Sequence, residues 1–446
     1  MGMFCFQCEQ TYMGDGCTQG GQCGKDPESA VLQDLIIHGL KGLSMYAHRA
    51  RALGKTDNEV DRFTLDALFA TVTNVDFDAE HLGGVADEVA RLRDKAKQLY
   101  VQACQEAGQE PEKLDGAAAW EPTEDLEGMV SQGEKVGIVG RREKLGQDLL
   151  SLQELLVYGL KGIAAYAYHA VELGRENAEI YGFIHQALDA ITAERSVDEL
   201  VGLCLEAGRI NMTTMELLDQ ANTETYGHPE PTQVRVTPVK GKCILVSGHE
   251  LKDLEALLEQ TKDKGINVYT HGELLPAHAY PRLKAYPHLK GNFGSAWQEQ
   301  VREFATFPGA ILMTTNCIQR PDPSYVDRIF TCGPVQWPGV HHMEDRDFGP
   351  VIEAALSAEG FTEDGEDQTI TVGFGRNAVL GVADKVIDAV KSGAIRHFFL
   401  IGGCDGDKPG RNYYTRLAQA VPDDCVILTL ACGKYRFNKL DFGDID

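Results

Sequence analysis

Positive charge is scarce in this sequence. Its 446 residues hold 42 lysines and arginines against 67 aspartates and glutamates, a formal net charge of −25. So acidic a surface repels phosphate backbones and anionic headgroups, which argues against nucleic acid and anionic membranes as partners. Long apolar runs are also missing. The longest, such as HFFLIGG and CVILTLACG, fall far short of the ~20 residues a spanning helix needs. No basic region followed by an apolar core opens the chain, so no secretory signal is read and the cytoplasm is the expected compartment. A full G-x-G-x-x-G loop is absent too. GFGRN at 373–377 is the nearest approach, and nucleotide binding there is discounted.

What is present is cysteine and hydrophobic mass. Hydrophobic residues make up 43% of the chain, ample for packed cores, and the length suggests about three domains. Twelve cysteines in a cytoplasmic chain point to metal sites or redox chemistry rather than disulfides. Four of them, Cys5, Cys8, Cys17 and Cys23, form a knot spaced C-x2-C-x8-C-x5-C among Gly14, Gly16, Gly20, Gly21 and Gly24. Four thiolates with tight turns between them suit an iron–sulfur cubane. A structural zinc site would use the same four, although zinc more often sits between two C-x-x-C knuckles.

The first half reads helical. LQDLIIHGLKGLSMYAHRARALG (32–54) aligns without a gap with LQELLVYGLKGIAAYAYHAVELG (152–174), an offset of 120 residues. The register continues downstream, where Phe63, Ala67 and Leu68 match Phe183, Ala187 and Leu188. The expectation is a duplication giving two helical bundles, with Gly54 as a C-cap. GLKG in mid-helix costs up to about 1 kcal/mol per glycine relative to alanine, which close helix contact would offset. Tyr46 and Tyr166 read as core. Residues 109–128 read as a connector and 228–241, with three prolines, as a linker. Strands and helices then alternate: KCILVSGHE, LKDLEALLEQTKDKG, INVYTHGE and GAILMTTNC, then TITVGFG, VADKVIDAVKSG, HFFLIGGCDG, YYTRLAQAV and CVILTLACG. That alternation argues for parallel sheet covered by helices. The expected division is a helical domain at 1–227, an α/β domain at 228–366 and a second at 367–446.

In the α/β half, potential ligands follow strands. His249 follows ILVSG, Glu273 follows NVYTHG, Cys317 follows ILMTTN, Cys404 follows HFFLIGG and Cys432 follows VILTLA. Open parallel sheets bind ligands at the carboxyl ends of their strands. A mixed thiolate, imidazole and carboxylate set suits a cluster with one oxygen- or nitrogen-ligated iron that can meet substrate. Cys104, Cys204 and Cys243 read as packing thiols, while the Gly-Pro turn after Cys332 leaves open that it lies near this site. His271, two residues before Glu273, is a candidate for a second-sphere or proton-relay role. His278, His341 and His342 read as hydrogen-bonding or capping residues.

The sequence resembles the hybrid cluster protein family, also called prismane proteins or hydroxylamine reductases. The resemblance rests on FCFQCEQT with its cysteine continuation, SGHE, NVYTHGELLPAHAYP, TTNCIQRP, WPGVHH, GGCDGDKPGR and TLACGKYRFN, which run through essentially the whole chain. It implies a multidomain α and α/β fold: a helical domain with two repeated bundles, followed by two Rossmann-like domains. It implies a [4Fe-4S] cluster on Cys5, Cys8, Cys17 and Cys23. It also implies a hybrid iron–sulfur–oxygen cluster between domains, with His249, Glu273, Cys317, Cys404 and Cys432 as ligands and Cys404 at the family's persulfide position. The implied reaction reduces hydroxylamine to ammonia and water, with nitric oxide as another substrate and an external protein as electron donor. His249, Glu273, Cys404 and His271 are the candidate catalytic residues, with His271, or a carboxylate that shifts off iron, as general acid. In the family about a hundred further residues follow, a length that fits an ordinary domain. They carry another cysteine ligand, a glutamate and a lysine, so the last domain is expected to be truncated. The alternatives are an electron-transfer or NO-sensing protein without turnover, or an inactive fragment. Glu250 stands where many relatives have Asp.

Overall fold

The computed structural model describes residues 2–404, 410 and 412–445, with the Met13 side chain left aside. The chain divides into two compact units, residues 1–222 with 336–338, and residues 223–335 with 339–446.

The first unit is helical. Asp26 caps its first helix by accepting the Ser29 N–H at 2.7 Å, with Pro27 at the first helical position, a strong start signal. The helices are α1 (Pro27–Ala52), α2 (Asn58–Ala70), α3 (Ala79–Ala107), α4 (Leu126–Val136), α5 (Ile138–Leu145), α6 (Gln147–Glu172), α7 (Ala178–Ala190) and α8 (Val197–Tyr226). The repeat is exact in length for its first two elements. α1 and α6 have 26 residues each, and α2 and α7 have 13 each. Gly54 and Gly174 both follow their helix with positive φ, as C-terminal glycines do.

The first repeat keeps a core of its own, with Leu43, Tyr46 and Ala50 against Val60, Leu92 and Ala96, and the two repeats also pack on each other. α1 packs on α7 as well as α3, and α2 packs on α6. One core therefore draws Leu32, Leu35, Ile36 and Leu40 together with Leu156, Leu160, Ile163 and Ile184. Each repeat has more apolar face than its own helices can cover, and the exchange buries it. A polar chain crosses this junction: Ser44 Oγ lies 3.0 Å from His185 Nδ1, His185 Nε2 3.0 Å from Asp61, and Asp61 2.6 Å from Arg51. Tyr46 is in the core as expected, whereas Tyr166 is 40% exposed. The connector at 109–128 includes a short 3-10 turn, Gly116–Ala119, and the start of α4.

The second unit is α/β. Its elements are β1 (Thr232–Arg235), β2 (Lys242–Ser247), α9 (Leu251–Thr261), β3 (Ile266–His271), α10 (Pro281–Lys284), β4 (Leu289–Asn292), α11 (Gln300–Thr306), β5 (Ala310–Met313), β6 (Ile329–Cys332), β7 (His341–Met343), α12 (Gly349–Ser357), β8 (Thr369–Val372), α13 (Arg376–Gly381), α14 (Ala383–Ser392), β9 (His397–Gly402), α15 (Tyr413–Gln419) and β10 (Cys425–Leu430). Among the described residues, eight strands form a sheet in the order β7-β6-β5-β2-β3-β4-β1-β8, and β9 pairs with β10. Every pairing is parallel except β1 with β8.

Two sequence readings differ here. The stretch read as a linker holds β1, because its prolines at 229, 231 and 238 lie outside the four strand residues. TITV, read as the opening of the last domain, is the antiparallel edge strand of the larger sheet. The order also fixes a switch point. From β2 the chain moves outward through β3 and β4, then returns to the other flank with β5 and β6. The crevice between the carboxyl ends of β2 and β5 is where such sheets hold ligands.

Candidate metal centres

The knot is built in the first unit as a small two-stranded clasp. Cys5 and Cys17 exchange backbone hydrogen bonds at 3.0 and 2.8 Å, and the Met3 N–H donates to Thr18. Cys17 and Cys23 are buried, Cys5 and Cys8 half-buried, and all four thiols are free. They lie close enough to feel one another. Burial pushes the Cys8 thiol up, and Cys5 and Cys17 add to that. Burial also raises Cys23, with Lys25 pulling the other way and Cys5 and Cys8 raising it further. Clustered, desolvated thiols of this kind ionise readily only when a metal takes the proton's place.

The second constellation lies in the α/β unit. His249 and Cys317 follow β2 and β5, the two strands that flank the switch point. The turn after β2 needs glycine: Gly248 has φ +122°, and a Cβ there would stand 2.3 Å from Thr314 Oγ1. This lets the β2 and β5 ends close on each other. The His249 N–H donates to Thr315 Oγ1 at 2.8 Å, and its Nδ1 lies 3.0 Å from the Asn316 carbonyl. A carbonyl only accepts, so Nδ1 carries the hydrogen and Nε2 is the nitrogen with a lone pair for a metal. The Asn316–Cys317 peptide is cis.

Glu273 follows β3, and its Oε1 accepts from Lys434 Nζ at 2.6 Å. Lys434 follows Cys432, which follows β10. The Tyr435 hydroxyl donates to the Gly272 carbonyl at 2.7 Å and reinforces that link. Cys432 is buried with Trp297, Leu275 and Tyr435, and Cys317 packs against the same cluster. Burial pushes its thiol well up, and Glu273 and then Cys404 push in the same direction. Cys404 is exposed at the end of β9, and its carbonyl accepts from Gln298 Nε2 at 2.8 Å. Gln300 Nε2 donates to the Cys317 carbonyl at 2.5 Å. Ala431, just before Cys432, has φ +57° and ψ −165°, a strained conformation for a residue with a side chain. The stretch after Cys404 in GGCDGDKPGR, residues 405–409 and 411, lies outside the described residues.

Among the described residues no group of three or more His, Cys, Asp or Glu side chains is drawn into a metal-holding arrangement. The donors fit iron–sulfur chemistry by type and neighbourhood: thiolates in the knot, and thiolates with imidazole and carboxylate in the crevice. His271 is fully buried, with Nδ1 2.9 Å from Ser247 Oγ and Nε2 3.0 Å from Glu303. Both of its ring nitrogens are therefore taken up by protein partners. Cys332 is buried against Asp253 at 3.4 Å. Cys104 and Cys243 are buried, Cys204 and Cys425 half-buried. Of the other histidines, His278 bonds Thr270 at 2.9 Å and His342 bonds Thr331 at 3.1 Å.

Sequence reasoning missed Lys434, Thr315 and the Trp297–Gln300 segment. Lys434 and Thr315 sit inside ACGKYRFN and TTNCIQRP, beside candidate ligand cysteines, and that adjacency was the available signal. SAWQEQ carries none.

The Prismane/CO dehydrogenase family matches residues 3–446. The chain belongs to that family. It is accordingly an iron–sulfur oxidoreductase. It is 54% identical to the hydroxylamine reductase of Acidiphilium cryptum over 99% of this chain and 81% of that protein. Against the hydroxylamine reductase of Geobacter sulfurreducens the figures are 55%, 100% and 81%. Among solved structures, carbon monoxide dehydrogenase IV from Carboxydothermus hydrogenoformans aligns with 98% of this chain and 70% of its own at a TM-score of 0.48 and 17% identity. No helix among the described residues is long and apolar enough to cross a membrane.

Proposed function

We propose that this protein reduces hydroxylamine to ammonia and water. Its electrons would come one at a time from an external donor protein through a [4Fe-4S] cluster on Cys5, Cys8, Cys17 and Cys23. The reaction would take place at a hybrid iron–sulfur–oxygen cluster held by His249, Glu273, Cys317, Cys404 and Cys432. The observation that carries this reading is the approach of Cys432 and Lys434 to Glu273, with Cys317 on the same apolar cluster. Relatives named hydroxylamine reductase at 54–55% identity support the substrate. When bound, the hybrid cluster supplies a two-electron store and an iron with exchangeable positions.

The chain's own residues do the rest. The Asn316 carbonyl holds the His249 tautomer. Lys434 holds Glu273 in orientation. Cleaving the N–O bond needs protons as well as electrons, and His271, hydrogen-bonded to Ser247 and Glu303, would supply one as general acid. Trp297, Tyr435 and Leu275 exclude water around Cys432.

The test is anaerobic iron and sulfide quantification with EPR, beside a viologen-linked hydroxylamine assay. About eight irons per chain are expected for the two clusters. Cys8→Ser should remove only the cubane signal, and Cys432→Ser only the hybrid one. Zinc without iron in the knot, or full turnover by Cys432→Ser, would refute the assignment.

A further inference from the structure

The duplication has placed two copies of one buried motif face to face. Asp34, His38 and Lys41 on α1 occupy the same repeat positions as Glu154, Tyr158 and Lys161 on α6, and all six line one cavity of the helical unit. Within each helix the acid and the lysine are seven residues apart, two turns, so they share a face. The cavity offers about 20 Å³ to the centres of water molecules, room for roughly one or two waters. Cys5 forms part of its wall.

The polar groups here are unequally satisfied. Lys161 Nζ donates to the Thr71 carbonyl at 3.0 Å. Arg141, from α5, takes up Glu154 at 2.6 Å and Gln153 at 2.7 Å. Lys25 donates to Gln33 at 2.6 Å. Lys41 is only 7% exposed and has no hydrogen bond or ion pair among the described residues. The Tyr158 hydroxyl is buried and has no partner either. Four cationic side chains thus face two carboxylates across the cavity, a net positive wall beside Cys5. A cubane on four thiolates is negative, and it gains one more negative charge on one-electron reduction. At low dielectric such an added charge is costly unless a nearby group titrates to meet it.

We propose that the paired acid–lysine set, Asp34, Lys41, Glu154 and Lys161, accepts a proton when the cluster at Cys5 is reduced. The inference rests on the cubane reading of the knot. One electron arrives from a low-potential one-electron donor. One proton comes from solvent by way of cavity water and forms a single N–H or O–H bond within the set. The acceptors are poised near neutrality. Burial, then Arg141, pushes Lys41 down to about 7. Burial, then Lys25, brings Lys161 to about 8. Burial, then Glu154, lifts Asp34 to about 6. His38 is pushed down to about 4 by burial and then Lys41, so it stays neutral. Burial keeps the Tyr158 hydroxyl protonated. Lys25, two residues from Cys23, stands outside the set. Because reduction raises the set's proton affinity, the cluster's potential falls as pH rises through this window.

The experiment is an EPR-monitored redox titration of the intact, cluster-loaded protein between about pH 5.5 and 9. The expected slope approaches the ~59 mV per pH unit of one proton per electron between about pH 6 and 8, and flattens outside it. The charge-neutral double variant Asp34→Asn with Lys41→Met should flatten the lower part of that window, and Lys161→Gln alone its upper part. A pH-independent potential in the wild-type protein would overturn the proposal, and that measurement needs no variant to fold. A slope unchanged in the double variant and in Lys161→Gln alike would remove the proton from this set. Zinc without iron in the knot would instead defeat the cubane reading itself, so the two failures are distinguishable.

Discussion

GLKG occurs at the same place in α1 and α6, yet the structure gives its glycines opposite burdens. A Cβ on Gly42 would stand 2.0 Å from the Ala117 carbonyl oxygen, 2.4 Å from its carbon and 3.0 Å from the Ala118 nitrogen. These are backbone atoms of the turn Gly116–Ala119, which carries Ala117 and Ala118 into the core with Leu43 and Tyr46. A Cβ on Gly162 would meet nothing within 4 Å. Overpacking costs about 1–3 kcal/mol, and a clash with backbone belongs at the upper end. Against about 1 kcal/mol gained in helix propensity, Gly42→Ala should lose about 2 kcal/mol net. Gly162→Ala should keep the whole gain of about 1 kcal/mol. At roughly 2–4 °C per kcal/mol for a unit of this size, thermal scans of the loaded protein should show midpoints lower by about 4–8 °C and higher by about 2–4 °C. Both substitutions moving the midpoint in one direction would refute the argument, because propensity is the same at the two sites and only the neighbours differ.

Further outcomes follow from single contacts. Cys332→Ala should leave iron content and both EPR signals unchanged, since the thiol is buried against Asp253 rather than among the candidate ligands; loss of iron would contradict this. Burial lifts Asp61, but His185 and Arg51 outweigh it and hold the carboxyl below its usual range, so its contribution is present at neutral pH and is lost as pH falls through that lowered pKa. Asp61→Asn should cost about 3 kcal/mol or more by stranding buried partners, read by denaturation of the helical unit. Burial, then Glu250, lifts Asp253 to about 7 despite Arg346 at 2.7 Å. The folded state therefore binds this proton more tightly than the unfolded one, and stability should fall as pH rises from about 4 to 7. Asp253→Asn should flatten that part of the stability–pH curve.

Much of the fold was legible because its signals are local. Ungapped similarity at one offset requires similar helices, and α1 and α6 have the same length. Placing the candidate ligands after strands required only the alternation of apolar runs and glycine turns. What stayed hidden was long-range. Which repeat packs on which depends on how much apolar face each leaves uncovered, and periodicity within one helix does not record this. β1 was masked by flanking prolines, and its pairing with β4 and β8 joins segments more than fifty residues apart. The GLKG cost is offset by close contact in α1 alone, because the turn that fills the gap at Gly42 comes from residues 116–119, outside the repeat.

Lys434 shows how the crevice holds the Glu273 carboxylate. Glu273 is largely withdrawn from water, and a carboxylate so placed needs a partner. Lys434 supplies it at 2.6 Å and donates with the same Nζ to the Ala431 carbonyl at 2.9 Å. Ala431 is the residue held at φ +57°, so one ammonium ties the candidate ligand Glu273 to the strained turn that delivers Cys432. Lys434→Met removes both bonds and keeps much of the stem's packing. The turn can then relax toward ordinary backbone angles, and Cys432 and Glu273 lose their common anchor. The α/β unit should load less iron while the N-terminal knot keeps its own. Iron quantification with EPR separates the two, since the cubane signal is an internal standard. Full iron content with both signals unaltered would show that Glu273 and Cys432 are oriented without the lysine, and its role would reduce to neutralising charge.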